Sequence, residues 1–206
     1  VSTSTLTNLT NSGTISGTAG DDNGYGVFVS SNATLTNLTN SGTISGTAVD
    51  DNGFGVNVGT STLTNLTNTG TISGTAGVAG TDGDDGKTDG HGMYFSGSTL
   101  TNLTNSGTIS GTAGGTSAGM YVFSASTLTN VTNTGIISGT ARFDNGYGVG
   151  VHTSSTLTNL TNSGTISGTA GDDNGYGVYL ATTSSTLTNL VNSGTISGTA
   201  VDDAGV

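Results

Sequence analysis

Carboxylates are the only abundant ionisable groups in this 206-residue chain, and most come as neighbouring pairs at one point of a recurring block. Asp21-Asp22, Asp50-Asp51, Asp172-Asp173 and Asp202-Asp203 hold equivalent places, with Asp144 alone in a fifth copy. Stacked about 5 Å apart, such carboxylates repel, and a hard, oxygen-seeking cation such as Ca²⁺ would relieve the repulsion. The competing reading is a solvated acidic edge that keeps the molecule soluble. It is favoured, because the fourth copy carries Gly114-Gly115-Thr116-Ser117 there and no fold can depend on a broken column. A second acidic group lies in the one irregular stretch, an expected insertion loop over residues 77–92. Its Asp82, Asp84, Asp85 and Asp89 are the candidate metal ligands, beside Lys87 and His91. The segment lacks the bidentate glutamate that closes an EF-hand loop. Loop decoration is therefore preferred, and no cofactor is expected. His91 falls in the slot that Tyr25, Phe54, Tyr147 and Tyr176 fill, which reads as a packed ring rather than a catalytic base.

Amides form the second pattern. Asn8, Asn37, Asn65, Asn102, Asn130, Asn159 and Asn189 recur without variation, as do Asn11, Asn40, Asn68, Asn105, Asn133, Asn162 and Asn192. Stacked amides hydrogen-bond along a column, so both sets read as structural ladders. Asn8-Leu9-Thr10 also fits a glycosylation sequon. The last copy, Asn189-Leu190-Val191, keeps the asparagine and loses the sequon, which favours the ladder.

Hydroxyls form the third. Thr5 and Thr7 flank a leucine in every copy, and regular outward threonine ranks suit the ordering of water on an ice surface. A parallel rank, begun by Thr14 beside Ser16, is interrupted by Ile136. Threonine also has high strand propensity on exposed faces, which is the plainer explanation. The same hydroxyls suit O-linked sugars. A last row, Phe28, Asn57, Tyr94, Tyr121, Gly150 and Tyr179, is expected to point outward as a carbohydrate contact.

Composition excludes much else. Lys87 and Arg142 are the only basic residues against 13 aspartates, a formal charge of −11, so nothing neutralises a nucleic-acid backbone. There is no Cys and no Pro, and no apolar run approaches a membrane span, so this segment is not expected to insert directly into a membrane. Polysaccharide-cleaving enzymes built on stacked coils need unlike charged groups clustered in a groove, and two basic residues in different copies do not supply them.

The elements that position these groups follow from a period. The first leucines of the blocks, Leu6, Leu35, Leu63, Leu100, Leu128, Leu157 and Leu187, are 29, 28, 37, 28, 29 and 30 residues apart. Such a period marks units that bury their apolar faces on one another. Thr5-Leu6-Thr7 and Thr14-Ile15-Ser16 alternate as half-buried strands, Gly26-Val27-Phe28-Val29 gives a third, and Asn11-Ser12-Gly13 and Asp21-Asp22-Asn23-Gly24 are turn chemistry. Helix is excluded by weak helix formers and by the lack of a helical apolar stripe. The fold expected is all-β: a parallel β-helix (β-solenoid) of about seven coils of 28–30 residues, three short strands each. Coils start near residues 4, 33, 61, 98, 126, 155 and 185 of a single domain, 1–206. The chain opens inside one repeat and stops inside another, so it is read as a segment of a longer protein.

The string LTNSGTISGT followed by G-[YF]-G-V resembles the Asn- and Gly-rich repeats of bacterial autotransporter (type V secretion) passenger domains and large surface adhesins. The resemblance covers almost the whole chain and implies a right-handed coil and display outside the cell. Residues and resemblance together point to a non-enzymatic structural or adhesive rod of a bacterial surface or secreted filament. Its expected partners are neighbouring coils or identical subunits end to end, and host or environmental glycans and surfaces. Ice binding is the alternative, and a carbohydrate-active enzyme comes third.

Overall fold

A computed structural model describes residues 1–77, 88–181 and 184–201. In the first coil the strands are β1 (Thr5–Asn11), β2 (Thr14–Ala19) and β3 (Gly24–Ser30). Each pairs in parallel with its own copy in the next coil: Leu6 opposite Leu35, Ile15 opposite Ile44, Val27 opposite Val56. The result is two seven-stranded sheets and one six-stranded sheet, named sheets 1, 2 and 3 after β1, β2 and β3. No helix occurs among the described residues, and the fold is an all-β solenoid.

Leucine spacing dictates the shape of sheet 1. Leu35, Leu38 and Asn40 all point inward and are buried, so Thr36 and Asn37 face outward in succession. A strand can do that only by bending, and the pairing of β1 passes over Thr7. Sequence reading ended this strand at Thr7 and placed Asn11 in a turn. The strand continues through the bend, because Asn11 has inward partners that hold it.

Sheet 2 does not bend. Its strands alternate strictly, with Ile44, Gly46 and Ala48 inward and Thr43, Ser45 and Thr47 outward. The strand expected from the sequence, Thr14-Ile15-Ser16, stops short of Gly17. Glycine is there for proximity: a Cβ on Gly46 would lie 1.9 Å from the Phe54 carbonyl oxygen. Sheets 2 and 3 thus meet backbone to backbone, and β2 runs on to Ala19.

Sheet 3 contributes Val56 and Val58 to the same core, and in the middle coils Met93, Phe95 and Met120 fill the equivalent space. Each such fully buried side chain contributes about 1.5–3 kcal/mol. The turn from sheet 3 to sheet 1 had carried no signal in the sequence. Among the described residues it uses left-handed backbone at Ser31 (φ 61°), Thr60 (48°), Ser124 (52°) and Thr153 (48°), and at a glycine in Gly97 (59°). A buried serine column offsets that strain: the Ser126 hydroxyl accepts the Ser98 N–H at 3.0 Å, and the Ser155 hydroxyl accepts that of Ser126 at 3.2 Å.

The 37-residue step leaves the stack intact, since Leu63 still pairs with Leu100 and Ile72 with Ile109. Across the insertion's base the Thr88 hydroxyl donates to the Gly77 carbonyl at 2.9 Å. Pairing resumes at Gly90, where a strand runs Gly90–Ser96. The expected loop end at residue 92 is therefore too late: Gly90 and His91 stand in register with Gly53 and Phe54 of the coil before, and Gly92 lies inside the same strand.

Candidate functional surfaces

The two asparagine sets lie on opposite sides of sheet 1. Asn40, Asn68, Asn105, Asn133 and Asn162 are fully buried. Each of these amides donates forward, as Asn105 Nδ2 does to Asn133 Oδ1 at 2.8 Å. The same nitrogen also reaches the carbonyls of Gly107 at 3.2 Å and Ile136 at 3.0 Å, which fixes the amide's orientation. The Asn8 set faces solvent and donates backward, Asn130 to Asn102 and Asn102 to Asn65, each at 2.9 Å. The two rows of amide dipoles therefore run in opposite directions and oppose each other's fields. Asn11, which sequence reading put in a turn, begins the buried row.

In two of the acidic turns a carboxylate is bonded by the asparagine that follows it. Asp51 Oδ1 accepts the backbone and side-chain N–H of Asn52, both at 2.7 Å, and Asp173 accepts from Asn174 at 2.6 Å. Asp82, Asp84, Asp85 and Lys87 lie outside the described residues, as do Asp202 and Asp203. Asp89 stands in the column of Asn52 and Thr116. Its N–H donates to Asn52 Oδ1 at 2.6 Å, and its own Oδ1 accepts the Thr116 N–H at 3.0 Å. Burial pushes its carboxyl up to about 6, against the pull of the Thr116 bond and with help from Asp144. This geometry gives Asp89 the work of an asparagine in a turn ladder. Among the described residues no three His, Cys, Asp or Glu side chains converge as a metal site.

Aromatic rings cover sheet 3. The slot of Tyr25, Phe54 and His91 and the supposedly separate outward row merge into one array, because the bend at Gly26 puts Tyr25 and Phe28 on the same face, 4.5 Å apart. From coil to coil the rings stack: Tyr25 on Phe54 at 5.4 Å and 14°, Tyr94 on Tyr121 at 5.8 Å and 5°, Tyr147 on Tyr176 at 5.7 Å and 10°. Nearly parallel rings this close turn their faces to one another. The expected sugar platform is thus largely occupied by the array itself.

His152 was missed by sequence reading. Its imidazole fills the space left by Gly150, where a Cβ would lie 2.8 Å from Nε2. The signal was the gap itself, a glycine in an otherwise bulky row with a ring two residues on. His91 and His152 sandwich Tyr121 at 4.7 and 4.4 Å. His91 Nδ1 and His152 Nε2 are buried without partners. Burial lowers His91 to about 3, helped by His152, and burial lowers His152 to about 4. Tyr121 is pushed up to about 12 by burial first and Asp89 second. His91 is therefore a neutral packed ring.

On the outer face of sheet 2, Thr14, Ser16 and Thr18 start three hydroxyl ranks. The third rank, Thr18 through Thr199, is unbroken and went unnoticed because β2 had been cut short.

Fold and faces together define a β-solenoid repeat protein, with amides on one outer face, hydroxyls on the second and rings on the third. Comparison with known proteins adds no family to that class: no family model, curated sequence or solved structure matches this chain.

Proposed function

We propose that this chain is a non-enzymatic structural and adhesive rod of a bacterial surface or secreted filament. The observation that carries the proposal is the sameness of chemistry from coil to coil. Leucine, isoleucine and asparagine columns continue through seven coils in one register, so each coil lengthens the body without altering its faces. Catalysis calls for unlike groups converging on one point. Here the neighbour of each side chain along the axis is usually its own kind. Beyond the backbone ladders, every junction between coils adds amide bonds inside and outside sheet 1, which suits a body loaded along its axis. The partners that fit are further coils or copies end to end, and extended glycans or surfaces met side-on.

Two observations test this. Antibody against the chain should label intact producing cells or their shed filaments, and negative-stain electron microscopy should show narrow rods. Labelling only after permeabilisation would overturn the display reading, and compact particles would overturn the rod.

A further inference from the structure

We propose that the outer face of sheet 2 is an ice-binding surface, with crystalline water as its ligand. The inference uses the rod only as a scaffold. Two properties separate this face from the other two. It is flat: β2 pairs with its copy at every residue from Thr14 to Ala19, whereas sheet 1 passes over Thr7 and sheet 3 over Gly26. Like the other two it is uncharged, since no aspartate lies in any of the described strands.

Its polar groups are also unspent. The amides of sheet 1 bond one another, and the rings of sheet 3 stack on one another. Among the described residues no threonine or serine hydroxyl of the sheet 2 strands has a hydrogen-bond partner in the protein.

Those hydroxyls form a lattice. Successive coils repeat at about 4.8 Å, and alternate residues along a strand at about 6.7 Å. The backbone holds that spacing rigidly, because the inner strands are paired on both sides and backed by close contacts such as that of Gly111 with the Ala118 carbonyl. Threonine methyls beside the hydroxyls restrict how adjoining water can orient. A rigid, neutral, two-dimensional array of hydroxyls and methyls is complementary to an ordered water surface, whose donors and acceptors also repeat. A flexible peptide or an ion would instead need a pocket or a charge. Ile136, at 44 % exposure, replaces one hydroxyl and leaves the Ser138 and Thr140 ranks intact.

The sheet assignment separates this proposal from one placed on the outward threonines of sheet 1, such as the column of Thr10 and Thr104. Thermal hysteresis and ice shaping would be measured by nanolitre osmometry on the chain, on Thr112→Lys in the middle of sheet 2, and on Thr104→Lys on sheet 1. Both sites are exposed, so both variants should keep the β circular dichroism of the parent. The parent should show hysteresis, Thr104→Lys should retain it, and Thr112→Lys should lose more than half. A folded parent with no hysteresis would overturn the proposal, as would loss confined to Thr104→Lys. A parent without β structure would overturn the rod itself, and this inference with it.

Discussion

Replacing Asn105 with alanine, and separately Asn102 three residues earlier, probes the same residue type in the same strand on opposite faces. Asn105 is fully buried, donates to Asn133 Oδ1, the Gly107 carbonyl and the Ile136 carbonyl, and accepts from Asn68 Nδ2 at 2.8 Å. Asn68 keeps other acceptors in Gly70 and Thr108. Asn133 Oδ1 loses the amide that donates to it, inside the molecule where water cannot substitute. One orphaned buried acceptor costs about 1–3 kcal/mol, and the cavity and two weakened carbonyls bring the expected loss to about 3–5 kcal/mol. Asn102 is exposed, so water replaces its bonds to Asn65 and Asn130 and the loss should stay below about 1 kcal/mol. Urea unfolding followed by circular dichroism would measure both. If the two variants shift the midpoint equally, the inward and outward assignments of sheet 1 are wrong.

Other consequences are as direct. The folded state depresses His91 to about 3 and His152 to about 4 from an ordinary 6.5, so the unfolded chain takes up protons first and stability declines as pH falls below about 6.5. Asp89, raised from 3.8 to about 6, gains stability over part of that range but is one group against two. Urea midpoints at pH 7 and pH 4.5 should fall accordingly, and a His91→Phe/His152→Phe variant should flatten the decline; an unchanged decline would clear the histidines. Gly46→Ala should disrupt folding, since the new Cβ meets backbone at 1.9 Å, whereas Gly20→Ala meets nothing within 4 Å and should be tolerated or slightly stabilising. Chelator should leave the melting temperature unchanged; a large drop reversed by Ca²⁺ would make the acidic residues metal ligands.

The legibility of this chain divides along physical lines. Columns such as Leu35, Leu38 and Ile44 were readable because burial on one face imposes a residue type at a fixed offset. The full length of β2 was not, because Gly17 answers to the backbone of sheet 3, which lies elsewhere in the sequence. Asn11 carried the composition of a turn, and only the neighbouring coil shows that its amide points inward. The merging of the aromatic rows depended on a bend at Gly26, and a bend changes which residues share a face without changing any letter of the pattern. Sheet 2's hydroxyl face was only half visible for the same reason, since the Thr18 rank exists only if the strand passes through Gly17.

Register between coils is the claim on which the ladders, the array and the hydroxyl lattice all depend. The chain has no cysteine, so pairs of engineered cysteines carry spin labels at chosen places and nowhere else. Thr10, Thr104, Thr132 and Thr161 are exposed members of one sheet 1 column. Pulsed electron–electron resonance from Thr10 to each of the other three should give distances that lengthen by about 4.8 Å per coil, near 14, 19 and 24 Å before allowance for the label tethers. A series that fails to lengthen in equal steps, or that jumps at the 37-residue step when Thr67 is compared with Thr104, would contradict the stacked coil.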